Sequence, residues 1–340
     1  MIVSSRRRHR TFVLVAVASI LFAHAQPAFA YFKFGVNVSG TAVALHWART
    51  PVRYFVNDQG ANGVTASQFQ TAVSRAFSTW EAVPTASISY QFVGFTGAQP
   101  GEEDGLSTLG FLNRPDLDRV LATTSFVIDN STGTLVESDI FFNSAFDWSA
   151  AETGESGRFD IQSTALHEIG HLSGLGHSAL GETELREGGG RRVLAADAVM
   201  FPIAYGAGTI AGRTLRADDI AGISDIYPGS GFRTEFGSIS GKITKNGSPL
   251  FGAHVVAFDP RDGTLVATFS LGSQGDFSIA GLSPGPHILR VEPIDDADLD
   301  SFFSAARNVD INFRVTYADR IVTVPKGGDS GSISVQVAPK

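Results

Sequence analysis

The spacing of apolar residues along the chain changes several times, and each change marks an element. Residues 52–56 are β-branched and aromatic, which predicts a strand closed by the turn signal at residues 57–60. From residue 65 the period lengthens. Ala66, Phe69, Ala72, Val73, Ala76, Phe77 and Trp80 recur at three and four, predicting a helix over 65–83 with Thr65 or Ser67 at its start. Residues 88–93 alternate like a strand, and 101–105 form a Gly- and acid-rich loop. Residues 120–128 and 135–142 read as two strands joined by a turn at 129–133. A second helix is predicted over 160–174, with Ile161, Ala165, Leu166, Ile169 and Leu172 on its apolar face. A third runs over 216–227 and stops at Pro228-Gly229. Residues 31–44 are mildly apolar and carry no motif.

Composition shifts at residues 228–231. Beyond them lie short strand patterns at 237–244, 254–258, 265–270, 276–279, 287–293, 311–316, 321–324 and 332–337, separated by Gly and Pro. Short strands at such regular spacing predict a β-sandwich. A chain of 340 residues exceeds one ordinary core, at roughly 150 residues per domain. The expected division is a leader at 1–30, a short segment at 31–45, a first domain at 46–229, a linker at 230–236 and a β-sandwich at 237–340. The fold class is α+β, followed by a small all-β domain.

The leader changes the picture of location and charge. Arg6, Arg7, Arg8 and Arg10 precede a mostly apolar run at 11–25, and Ala28-Phe29-Ala30 has the small-x-small form of an export cleavage site, leaving Tyr31 as the mature start. The run is short for the ~20 residues of a membrane span, and no later segment is long and apolar enough to be one. Removing four arginines takes the net charge from −8 to −8 − 4 = −12. Such a balance, without basic patches, argues against a nucleic-acid partner. The expectation is a secreted protein, extracellular or periplasmic.

The chain has no cysteine, so it has no disulfides, and any zinc must be held by His and carboxylates. Three of its eight histidines, His167, His171 and His177, fall within one short stretch. Residues four apart on a helix lie one above the other, so His167 and His171 can face one ion. Gly174 can take a positive φ, end the helix and return the chain so that His177 supplies a third ligand. Three protein ligands leave a fourth position open for water, the catalytic arrangement for zinc. Glu168, beside the first ligand, suits a general base. The competing reading is a helix whose histidines merely pack or face solvent.

The stretch H-E-x-x-H-x-x-G-x-x-H at 167–177, with Met200 within residues 198–202, resembles the metzincins and within them the matrixins. That resemblance covers about residues 46–228. It implies a twisted mixed sheet with three main helices, one catalytic Zn2+ held by His167, His171 and His177, and Glu168 as catalytic base. It also implies Met200 as the Met-turn beneath the ligands. Residues 120–122 look like the family's edge strand, along which a protein or peptide substrate lies extended. Leu121, Ala122, Pro202 and Tyr205 are accordingly expected to line the substrate pocket. Residues 138–143 look like the strand that follows. Asp218 and Asp219 match acids that brace the Met-turn and the mature N-terminus.

Departures from the family pattern are also legible. No histidine lies between His46 and His167, so the second zinc that many relatives carry is expected to be absent. A cysteine-based latency switch is excluded, and Pro202 stands where some branches carry a zinc-linked tyrosine. Residues 178–197 form a longer insertion than is typical and are expected to reshape the primed side of the cleft. Glu102, Glu103, Asp104 and Asp139 are compatible with Ca2+.

Residues 237–293 resemble the carboxypeptidase regulatory-like family, a transthyretin-like sandwich, on the segments 237–243, 252–258, 275–279 and 281–285. His254 and His287 read as structural or surface residues. Glu292, Asp295, Asp296, Asp298 and Asp300 are compatible with calcium, though a solvated loop is expected. This domain suits binding of a surface, a polysaccharide or a protein. The leading expectation is a zinc-dependent endopeptidase; the alternatives are a secreted binding or adhesion protein with a vestigial protease domain, and a zinc hydrolase acting on other bonds.

Overall fold

The computed structural model describes residues 33–187, 189–303 and 308–340. The expected leader at 1–30 and Tyr31 lie outside the described residues. No helix among the described residues is long and apolar enough to cross a membrane.

The chain opens with a hairpin, β1 (Gly35–Val38) and β2 (Thr41–Ala44), where the sequence showed no motif. A mostly parallel sheet follows: β3 (His46–Trp47), β4 (Val52–Asn57), β5 (Tyr90–Thr96), β6 (Thr108–Leu112), β7 (Ala122–Asp129) and β8 (Thr134–Asn143). Its order is β3-β8-β6-β4-β5, and β7 pairs antiparallel with β8 as an edge strand. Strand β5 begins two residues later than its alternation suggested. Strand β6 was not foreseen, because it is buried on both faces and does not alternate.

Helix α1 (Ala66–Glu81) is opened by a reciprocal cap between Thr65 and Gln68. Its stripe from Phe69 to Trp80 is buried against the sheet. Two short parallel strands, β9 (Trp148–Ser149) and β10 (Phe159–Asp160), lead into α2 (Ile161–Leu172). The Trp80 indole donates to the Leu166 carbonyl at 2.8 Å, tying α1 to α2. The insertion forms a second hairpin, β11 (Gly181–Leu185) and β12 (Arg191–Ala196), and α3 (Ala217–Ile226) closes this half.

Residues 230–236, expected as a plain linker, contain a helical turn at Phe232–Glu235 with Phe232 buried. Beyond it, β13 (Gly237–Lys245), β14 (Ser248–Pro249), β15 (His254–Phe258), β16 (Leu265–Phe269), β17 (Asp276–Leu282), β18 (Gly285–Glu292), β19 (Thr316–Tyr317), β20 (Val322–Val324) and β21 (Asp329–Val337) form two sheets. One has the order β14-β13-β17, with β21 parallel to β13; the other has β16-β15-β18-β19, with β20 also on β18. Ile239, Ile243, Phe277 and Ile333 from the first sheet share a core with Val255, Val266, Leu289 and Val322 from the second. The strand expected at 311–316 is a correction. Only Thr316–Tyr317 pairs as a strand there, and Phe313 makes an isolated bridge to Pro339.

The two halves are not separate bodies joined by a tether. Ala221 of α3 belongs to the C-terminal core, and Leu180 and Ala198 pack with Val256 and Ala267. Phe201 is buried in a further cluster with Phe269, Ile294, Phe302 and Phe303. The seam between the halves therefore contains apolar clusters packed like a core.

Candidate active site

Helix α2 presents the site, and its ends explain its placement. Asp160 caps the start by accepting from the Ser163 amide at 2.7 Å, and it is held in turn by Arg213 Nε at 2.9 Å. At the other end Gly174 has φ +99°, and a Cβ there would lie 2.3 Å from the Leu45 carbonyl oxygen. A glycine is therefore required by both the turn and the space.

The turn returns His177 to His167 and His171. Ring centroids are 4.7 Å apart for 167–171 and 171–177, and 5.3 Å apart for 167–177. One ring nitrogen from each lies within 4.8 Å of the other two. Each Nδ1 faces a backbone carbonyl: Val199 from His167 at 2.8 Å, Leu175 from His171 at 2.8 Å, and Ser301 from His177 at 2.6 Å. A carbonyl only accepts, so each Nδ1 carries the proton and each Nε2 presents a lone pair.

That assignment decides whether a cation fits. His171 Nε2 and His177 Nε2 are 3.1 Å apart, two lone pairs facing each other. Burial pushes all three imidazoles toward the neutral form, His177 to about 3. A proton is thus a poor bridge between them. A divalent ion, bound by neutral imidazoles with their outer nitrogens fixed by acceptors, fits the donor set.

Glu168 is buried beside the first histidine. Its Oε2 accepts from the Thr124 hydroxyl on the edge strand β7 at 2.6 Å. Burial raises the Glu168 carboxyl to about 7, and the Thr124 hydrogen bond opposes that rise. Thr124 was missed in the sequence, where a threonine in a strand pattern carries no signal beyond β-propensity.

Met200, 2% exposed, packs with Trp80 against Gly170, which lies on α2 between His167 and His171. The carboxylate of Asp219 accepts from the amides of Val199 and Met200 at 2.8 and 3.1 Å, bracing this turn. Since Val199 also supplies the acceptor for His167, the brace reaches the site. Asp218 makes a contact that the sequence did not indicate. It accepts from the Ala267 amide of β16 at 2.8 Å, which fastens the C-terminal half, while the expected mature N-terminus at Tyr31 lies outside the described residues. The first described residue, Lys33, forms an ion pair with Asp225.

A cleft of about 700 Å³ opens over the triad, and Leu121, Ala122, Pro202 and Tyr205 all line it. Ala122 begins β7, and the Leu121 carbonyl just ahead accepts from the Asn143 amide at 2.8 Å. The insertion hairpin reaches the cleft with Gly189, Gly190 and Arg191, and Asp298, Asp300 and Ser301 enter from the C-terminal half. His254 and His287 are buried and not among the three converging histidines; His254 Nδ1 lies 3.1 Å from Glu292. Asp139 of β8 accepts from the amides of Gly101, in the acidic loop, and Thr108, at the start of β6, at 2.6 and 2.7 Å.

Residues 46–186 match the Matrixin family model, peptidase family M10. That match ends before Met200 and does not reach the C-terminal half. Metalloendoproteinase 5-MMP of Arabidopsis thaliana is 39% identical over 71 residues, which are 21% of this chain and only 15% of that protein. The solved structure of the Bacillus anthracis TIE protein matches at 17% identity over 31% of this chain and 17% of that one, with a TM-score of 0.19, too low to show a shared fold. Over residues 46–186 the chain is thus similar to the matrixins, and it spans only a small part of the length of the metalloendoproteinase it matches.

Proposed function

We propose that this chain is a secreted, zinc-dependent endopeptidase with one catalytic Zn2+ held by His167, His171 and His177. The observation that carries the reading is the shared orientation of the three rings, each Nδ1 on a carbonyl and each Nε2 turned to one point. Bound zinc supplies Lewis acidity, polarising a carbonyl oxygen and acidifying water.

The remaining chemistry belongs to the chain. Glu168 accepts the proton of the attacking water as that water's oxygen adds to the peptide carbonyl carbon. It passes the proton to the amine nitrogen as the C–N bond breaks. Thr124, donating to Oε2, fixes the carboxylate and leaves its other oxygen for the water. Ala122, at the head of β7, offers backbone to an extended substrate, while Leu121, Pro202 and Tyr205 shape its side-chain pocket. A cleft with these walls suits internal peptide bonds.

Secretion rests on the arginines and apolar run of residues 1–30. The C-terminal half is read as a carboxypeptidase regulatory-like sandwich, supported by two sheets on one core. Binding of a surface, polysaccharide or protein by that half is a secondary element of the reading. Calcium at the acidic loop is another, though amides of the loop and of β6 already engage Asp139.

The test is Glu168→Gln in the full chain, assayed on a peptide library. The expected outcome is retained zinc with turnover reduced by about 10²–10⁴-fold. Turnover at the unaltered rate would remove Glu168 as the base. A zinc-loaded parent chain that cleaves no peptide would favour the vestigial, binding-protein alternative.

A further inference from the structure

After β18 the chain runs through residues 293–303 as a strap along the hairpin β11–β12. Asp296 Oδ1 accepts from the Thr183 amide at 2.8 Å, and the Asp296 carbonyl accepts from the Thr183 hydroxyl at 2.7 Å. Arg191 Nη1 donates to the Asp295 carbonyl at 2.9 Å. Of the acids expected to form a solvated loop, Asp295, Asp298 and Asp300 are exposed, while the Asp296 side chain joins a docking seam. Beneath it Ile294, Ala297, Phe302 and Phe303 are buried with Phe201 and Phe269.

The strap delivers the Ser301 carbonyl to His177. His167 takes its acceptor from the Met-turn, and His171 takes its own from four residues on. His177 is served from 124 residues away, by the other half of the molecule. It also stands past the end of α2, on a loop, where its ring angle is not set by a helix. A ring in that position needs an outside acceptor to fix both tautomer and rotation.

Resting on the zinc reading above, we infer that the strap is part of the metal site: Ser301 holds the His177 ring for the ion, and Asp296 is a positioning residue that sets the strap through Thr183. The C-terminal half then acts as a structural partner of the catalytic centre. Metal binding and strap docking are reciprocally linked, each strengthening the other.

The test uses the full chain in metal-free form. Zn2+ affinity is measured by competition with a chromophoric chelator, and the imidazole Nδ1–H signals are followed by NMR after ¹⁵N-histidine labelling. Asp296→Ala is expected to weaken zinc binding about tenfold, the scale of lost outer partners of metal ligands. It should also broaden the His177 Nδ1–H signal while sparing those of His167 and His171. Asp296→Asn, which keeps an accepting oxygen, should restore both. Asp276→Ala, which removes an ion pair with Lys242 in the same half, should change neither. Asp296→Ala with zinc affinity within about twofold of the parent and an intact His177 signal would overturn the inference.

Amide exchange of the unaltered chain gives a reading that needs no variant. Zinc should slow exchange at 295–303 and 181–185 more than at 329–337, and equal slowing would also overturn the inference. An unaltered chain that takes up no zinc would instead sink the zinc reading itself.

Discussion

Gly170→Ala is a substitution for which local and tertiary effects have opposite signs. Gly170 lies within α2, between His167 and His171. Helix propensity alone favours alanine by about 1 kcal/mol. A Cβ there, however, would lie 2.2 Å from Met200 Sδ and 3.0 Å from Trp80 Cζ2. Ordinary carbon contacts sit near ~3.5–4.0 Å, so the overlap with sulfur exceeds an ångström. Neither neighbour can step aside easily. Met200 is 2% exposed with its amide held by Asp219, and Trp80 is fully buried with its indole on Leu166. Overpacking of this kind costs about 1–3 kcal/mol, and this overlap belongs at the upper end. Subtracting the propensity gain leaves a net loss of about 2 kcal/mol. Urea denaturation of the metal-free chain reads it as a lower midpoint at unchanged slope. In a Met200→Ala background only the 3.0 Å approach to Trp80 remains, so the same substitution should lose clearly less stability than in the parent. A Gly170→Ala chain as stable as its parent would refute the packing of Met200 on α2.

Arg213→Ala removes the partner of Asp160, which is 7% exposed at the start of α2. A stability loss of about 3 kcal/mol is expected by denaturant titration, and a loss below about 1 kcal/mol would contradict a buried pair. Asp218 gives a pH dependence. Burial raises its carboxyl to about 7, so the folded chain keeps a proton that the unfolded chain releases above about pH 4. The contribution of Asp218 to the stability of the metal-free chain therefore falls as pH rises from about 4 to about 7. Asp218→Asn keeps an acceptor for the Ala267 amide and should flatten that fall by one proton; an unchanged slope counts against it.

The sequence displayed what is local. The α1 stripe, its Thr65 cap and the turn at Gly174 are set by neighbours three to five residues apart. The histidine spacing is local too, which is why the triad could be located from a short stretch. Strand β6 was hidden because both its faces are buried, removing the alternation that marks a half-buried strand. The pattern at 311–316 alternates convincingly but finds little to pair with. The carbonyls of Val199, Leu175 and Ser301 were illegible for a different reason: every residue carries one, so no residue type announces the role. Thr124 and Asp296 act across folds of the chain, and only the tertiary structure brings them to Glu168 and Thr183.

Zinc-edge X-ray absorption on the full chain loaded with one equivalent of Zn2+ tests the convergence of the three imidazoles most directly. The expected spectrum has three imidazole nitrogens at about 2.0–2.1 Å and one light oxygen, losing one nitrogen in His177→Ala. Two or fewer imidazoles in the unaltered chain, or a spectrum indifferent to His177→Ala, would contradict it.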